Sequence, residues 1–151
     1  MTSTLRPRVR EWGLVPGRLP TGPKNGITDV AGVRAGHTTL SIGDGPLSPG
    51  HGPVRTGVTV VLPHGGDLFA HKVRAAVHTI NGYGKAVGFE QVRELGLLES
   101  PIALTNTLNV GLVADGLVQH AVASHPAIGV TTSSVNVVVG ETNDGYLNDL
   151  Q

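Results

Sequence analysis

A chain of 151 residues has room for one domain, and at that size folding buries about 70% of the surface the unfolded chain exposes. Its 11 basic and 11 acidic side chains cancel, which removes the net charge that would draw it onto nucleic acid or an anionic membrane surface. Without cysteine it can build no disulfide framework, no Cys-ligated zinc site and no thiol nucleophile.

Residues 1–25 are rich in Pro, Gly and Arg without periodicity and read as an extended N-terminal arm; residues 26–151 then form the single domain. Arg6, Arg8 and Arg10 are followed at once by Glu11, Gly13, Pro16 and Gly17, so the apolar stretch of a signal peptide is missing. No run of about 18 apolar residues occurs, and the expected location is the cytoplasm, with no membrane partner. In "GITDVAGVRAGHTTL" the turn glycines Gly32 and Gly36 separate Ile27, Val30, Val33 and Leu40, which predicts short strands joined by a tight turn. "SIGDGPLSPGHGPVRTG" reads as a loop, and the β-branched run "VTVVLP", residues 58 to 63, as a buried strand stopped by Pro63 and the glycines at 65 and 66.

The near-helical spacing of Leu68, Val73, Ala76, Val77 and Ile80 predicts a helix across "LFAHKVRAAVHTI". Phe89, Val92 and Leu95 predict a second one before Gly96, and "PIALTNT" reads as a buried strand. The clearest 3.6-residue stripe runs through Val110, Val113, Ala114, Leu117, Val118, Ala121 and Val122, with Asn109 as the expected N-cap and Pro126 as the stop. "SVNVVVGE" is a last strand, and "TNDGYLND" is the turn that leaves it. Strands alternating with helices argue for an α/β or α+β layered fold.

Several chemical motifs fail on spacing. "GYGKAVG" lacks the full dinucleotide fingerprint, and there is no P-loop. A calcium loop centred on Gly145 would need a final bidentate Glu where Gln151 stands. His64, His71 and His78 are seven apart but have no third ligand at a familiar offset. No G-x-S-x-G surrounds Ser133, Ser134 or any other serine. The residues therefore name no nucleophile with its base, and neither a metal nor any other cofactor is expected.

Four segments in order, "NGITDVAGVRAGHTTL" (25 to 40), "GVTVVLPHG" (57 to 65), "KVRAAVHTINGYGKAVGFEQVRELGLLESPIALTNTLNVGLVADGLV" (72 to 118) and "SVNVVVGETNDGYLND" (134 to 149), resemble the DmpA or S58 family of aminopeptidases. The resemblance implies an αββα sandwich of the N-terminal-nucleophile-like type, incomplete in this chain. It also implies a precursor that cuts itself ahead of a serine into α and β chains, that serine acting as nucleophile with its own amine as base, and assembly of αβ pairs into an oligomer. A neutral amine with a pKa near about 8 is a fair base at neutral pH. The family's Gly-rich cleavage motif ending in G-T-[SA]-S belongs beyond Asp149 and is not among these residues. The chain is expected to be the N-terminal part of an α chain, unable to hydrolyse peptides alone.

The resemblance assigns Tyr146 to the oxyanion: a phenol donates one strong hydrogen bond, stays neutral at pH 7 and stands on a stiff ring. Glu141 is the candidate for gripping the free amino group of a peptide, amide or ester substrate. Asn143 and Asp144 stand beside it as candidate substrate-binding residues, although their types, like those of Asn148 and Asp149, favour fixing the turn, with Gly145 at a positive φ. Asn81, Tyr83 and Asn106 are expected to have structural roles. Two rival readings are an inert α-like assembly module and internal processing at Asn106-Thr107, where threonine would become the nucleophile.

Overall fold

The computed structural model describes residues 7–150; Gln151 and the first six residues of the expected arm lie outside the described residues. Its framework is a five-stranded sheet in the order β1-β2-β6-β7-β4. The strands are β1 (Arg34–Ile42), β2 (Val54–Leu62), β4 (Ala86–Val87), β6 (Ile102–Thr105) and β7 (Val138–Glu141), while β3 (Val73–Arg74) pairs with β5 (Leu97–Leu98) in a separate ladder. Helix α1 spans Phe89–Leu95 and helix α2 spans Val110–Ser124. The fold class is mixed α and β in layers, as expected.

The parallel pair β6 and β7, joined through α2, forms the centre. Successive side chains of a strand face opposite sides, and the two faces carry separate cores. Ala103 and Val139 pack with Val110 and Ala114 of α2, whereas Val138 packs with Val92 of α1 and Leu98 of β5. Between them Glu99 is buried. Its Oε1 accepts from the Asn136 amide at 2.8 Å, and its Oε2 lies 3.0 Å from Lys72 Nζ. Burial, the largest influence, pushes the Glu99 carboxyl up, but the Asn136 amide, Lys72 and Gln91 together hold it below the ordinary range.

Several elements differ from the expectation for identifiable reasons. No helix forms over 68–80. Val73, Ala75 and Val77 are half-buried at every second position, pack against Val92, Leu98 and Val138, and Val73 pairs with Leu98. Ile80 is 89% exposed, so a two-residue period defeats the helical spacing. Only one strand follows the 3-10 turn Ile27–Asp29. Gly32 makes its turn at φ 86°, but Gly36 lies inside β1 opposite Val60. The β1–β2 pairing shortens the loop to residues 43–53 and carries the second strand back to Val54. Helix α1 does form, and only glycine suits its N-cap: Gly88 has φ 82°, and a Cβ there would sit 2.1 Å from the Val137 carbonyl.

Asn109 does occupy the N-cap position of α2, but its side chain makes no capping bond there. The 3-10 turn Thr107–Asn109 precedes the helix, and Asn106 caps that turn by accepting from the Asn109 amide at 3.1 Å. Gly145 is not at a positive φ; instead Asn143 Oδ1 accepts the Gly145 amide at 3.1 Å, which closes the turn without left-handed backbone.

Candidate functional site

In a parallel pair crossed over by a helix, the carboxyl ends of the two strands open onto the same edge, where such sheets commonly bind ligands. Here Thr105 of β6 stands beside Glu141 of β7. Both strands run straight into polar residues: Asn106 and Thr107 after β6, Thr142 and Asn143 after β7. Thr142 donates to the Thr105 carbonyl from its amide at 2.7 Å and from its hydroxyl at 3.0 Å. Asn106, buried, also donates to Thr56 Oγ1 at 3.0 Å and so ties this edge to β2.

Glu141 is held at both carboxylate oxygens. Thr107 Oγ1 donates to its Oε1 at 2.6 Å, and the Lys85 amide donates to its Oε2 at 2.5 Å. The Glu141 amide in turn donates to the Lys85 carbonyl at 3.1 Å. The Thr107 hydroxyl first, then the Lys85 amide, hold the carboxyl below the ordinary glutamate range, so it is a carboxylate at neutral pH. Beside it opens a groove of about 500 Å³ with Phe89, Leu104, Ala86 and Gly140 on its walls and Arg93 at its rim. The far wall is the 78–84 loop, where Asn81 Oδ1 accepts from the Tyr83 amide at 2.9 Å and Lys85 Nζ lies 4.6 Å from the centre of the Tyr83 ring. Asn81 and Asn106 have the structural roles expected of them.

The other named residues lie on the turn after β7. Leu147 and Asn148 donate their amides to the Asp144 carbonyl at 2.8 and 2.9 Å. Asn148 is buried and accepts the Arg55 amide at 2.7 Å, while Asp149 accepts the Gly52 amide at 2.8 Å. This anchors the turn to the 43–53 loop and to β2. Tyr146 projects from it at 98% exposure, and its hydroxyl has no hydrogen-bond partner among the described residues. Two buried polar atoms in the same turn, Asp144 Oδ1 and Asn148 Nδ2, also find no partner among the described residues. Glu141 therefore meets Thr107 and Lys85, and the structure does not bring Tyr146, Asn143 or Asp144 onto it. Neither partner of Glu141 was legible beforehand, because they lie 34 and 56 residues away in the chain.

A sequence profile described as Peptidase family S58 matches residues 25–151. A beta-peptidyl aminopeptidase, BapA, of Sphingosinicella xenopeptidilytica is 44% identical over 144 residues, which are 95% of this chain and 35% of that protein. A protein from Pyrococcus horikoshii OT3 of solved structure superposes with a TM-score of 0.87 at 51% identity, over 94% of this chain and 40% of its own. The L-aminopeptidase D-Ala-esterase/amidase of Ochrobactrum anthropi, described as a variant of the Ntn hydrolase fold, gives 0.74 at 35% identity, over 95% and 40%. The chain thus spans about a third of the length of the curated relatives it matches. No helix among the described residues is long and apolar enough to cross a membrane.

Proposed function

This chain belongs to peptidase family S58, and from that premise we propose that it is the α-chain portion of a self-processing serine aminopeptidase acting on peptides, amides or esters with a free amino terminus. The observation that carries the reading is Glu141, a carboxylate pinned at both oxygens on the edge of a groove. A carboxylate offers about four lone-pair sites and an ammonium three donors, so two sites remain for a substrate amine after Thr107 and Lys85 have taken theirs. The apolar walls contributed by Phe89 and Leu104 suit a short aliphatic side chain on that substrate.

In this reading the nucleophile comes from the β chain of the same precursor, its serine attacking the carbonyl while its own α-amine takes the proton. Tyr146, on the exposed turn five residues after Glu141 at the end of β7, donates to the oxyanion once that chain is in place, and αβ pairs assemble further into an oligomer. The orphaned Asp144 Oδ1 and Asn148 Nδ2 support a turn that another segment completes. Asn143 and Asp144 then shape that turn beside the substrate.

The test uses the intact gene product that carries these residues, assayed on L-alanine p-nitroanilide and on an ester lacking a free amine. Glu141→Gln should raise KM for the amine substrate about tenfold and leave the ester within about twofold; equal losses on both would remove Glu141 from amine recognition. Tyr146→Phe should lower kcat by about a hundredfold on either substrate, and unchanged turnover would remove it from the mechanism.

A further inference from the structure

We propose that Thr107 is a positioning residue for amine recognition: its hydroxyl sets the rotamer of the Glu141 carboxylate, so that substrate affinity depends on a side chain that never touches substrate. The inference rests on the amine-binding reading of Glu141. Its geometry is independent of that reading.

A glutamate on an open strand end has three rotatable bonds, and left alone its carboxylate would sample many positions. Here the two oxygens are held from two directions: Oε2 by the backbone amide of Lys85 and Oε1 by the Thr107 hydroxyl at 2.6 Å. Only the second can be removed by changing a side chain. Thr107 is itself fixed, since β-branching restricts its χ1 and it begins the 3-10 turn that Asn106 caps. Asn106 is bonded in turn to Thr56 of β2. The Asn106 side chain thus ties this segment to β2, and its chain neighbour Thr107 carries the hold on to the end of β7. The remaining charged or titratable groups around the groove are His78, Lys85, Glu90 and Arg93, with Arg93 paired to Glu90 and bonded to Thr79 Oγ1 at 2.9 Å. None of them is hydrogen-bonded to the Glu141 carboxylate through its side chain, so the hydroxyl of Thr107 is the side-chain donor that orients it.

The experiment compares wild type, Thr107→Val and Thr107→Ser in the intact gene product, following the Glu141 carboxyl by carbon NMR across acid pH and the binding of L-alaninamide by shift titration. Valine keeps the shape and removes the donor, so the Glu141 titration should move upward toward that of an ordinary glutamate, and the ligand Kd should rise about tenfold. Serine should restore both. An unmoved Glu141 titration in the valine variant overturns the proposal, as does a serine variant that behaves like valine, which would assign the effect to the lost methyl. If Glu141→Gln binds L-alaninamide as well as wild type while the valine variant still shifts the titration, the amine-binding reading fails and the hold on the carboxylate stands.

Discussion

The centre of the sheet and its β1 edge are built differently. At β6 and β7 both faces are covered, Val139 is 0% exposed, and the polar groups between strands are matched, with Ser100 Oγ accepting the Val138 amide at 3.1 Å. At the β1 edge all nine residues of the strand are exposed, including Leu40 at 47%, although β1 pairs with β2 along its whole length. Hydrogen bonding to β2 therefore holds β1, whereas β2, through Val60, and the centre are also held by packing. Exposed edges in natural sheets are usually blunted by charge, proline or shortness; β1 carries Arg34 at its start and then "AGHTTLSI". In the proposed αββα sandwich, the hairpin is the part of the sheet that a further chain segment would cover.

A charge on each side gives the largest contrast. Val139→Asp places a carboxylate without a partner in the α2-facing core and should remove more than about 4 kcal/mol, enough to unfold the chain in a urea titration. Leu40→Asp sits on the uncovered strand and should change stability by less than about 0.5 kcal/mol. A loss at Leu40 approaching that at Val139 would show that the β1 face is covered in solution, and the contrast would disappear. A smaller effect comes from alanine at two glycines. Gly88→Ala must place its Cβ 2.1 Å from the Val137 carbonyl at φ 82° and should cost about 2 kcal/mol. Gly36→Ala, with nothing within 4 Å of its new Cβ, should be neutral or mildly stabilising through the unfolded chain. Matching losses for the pair would mean that β1 is approached closely by something outside the described residues.

The same division decides what was legible in the sequence. Helix α2 was readable because seven apolar residues repeat at a helical period and one face of them is buried against β6 and β7. The strand at 102–105 and α1 were readable for the same reason, since local pattern and burial agree. The 68–80 segment was not, because Val73, Ala75 and Val77 alternate only briefly within a row of alanines and valines that also satisfies a helical template. Asn109 was legible as the N-cap position of α2, but the side-chain capping bond belongs to Asn106, because a 3-10 turn before the helix has no distinct sequence signal beyond a second asparagine three residues earlier. At the candidate site Glu141 stood out by residue type and motif. Its partners Thr107 and Lys85 did not, since only the β6–β7 and β4–β7 pairings bring them together.

Acid should separate the centre from the β1 edge most gently. The Glu99 carboxyl releases its proton more readily in the folded chain than in the unfolded one, since its hydrogen bonds and Lys72 outweigh its burial. Its contribution is therefore complete above the ordinary carboxylate range and is lost as pH falls through the folded value. β1 and β2 contain no Asp or Glu, so neither strand has a titrating carboxylate of its own. Glu99→Gln keeps an oxygen for the Asn136 amide but removes the titrating charge, leaving Lys72 without its ion pair. The variant should start with a lower Tm at neutral pH, and between about pH 5 and pH 3 its Tm should fall less than that of wild type. Parallel Tm curves for the two proteins would mean that Glu99 is equally protonated folded and unfolded, and that the covered centre of the sheet is held by packing without an electrostatic share.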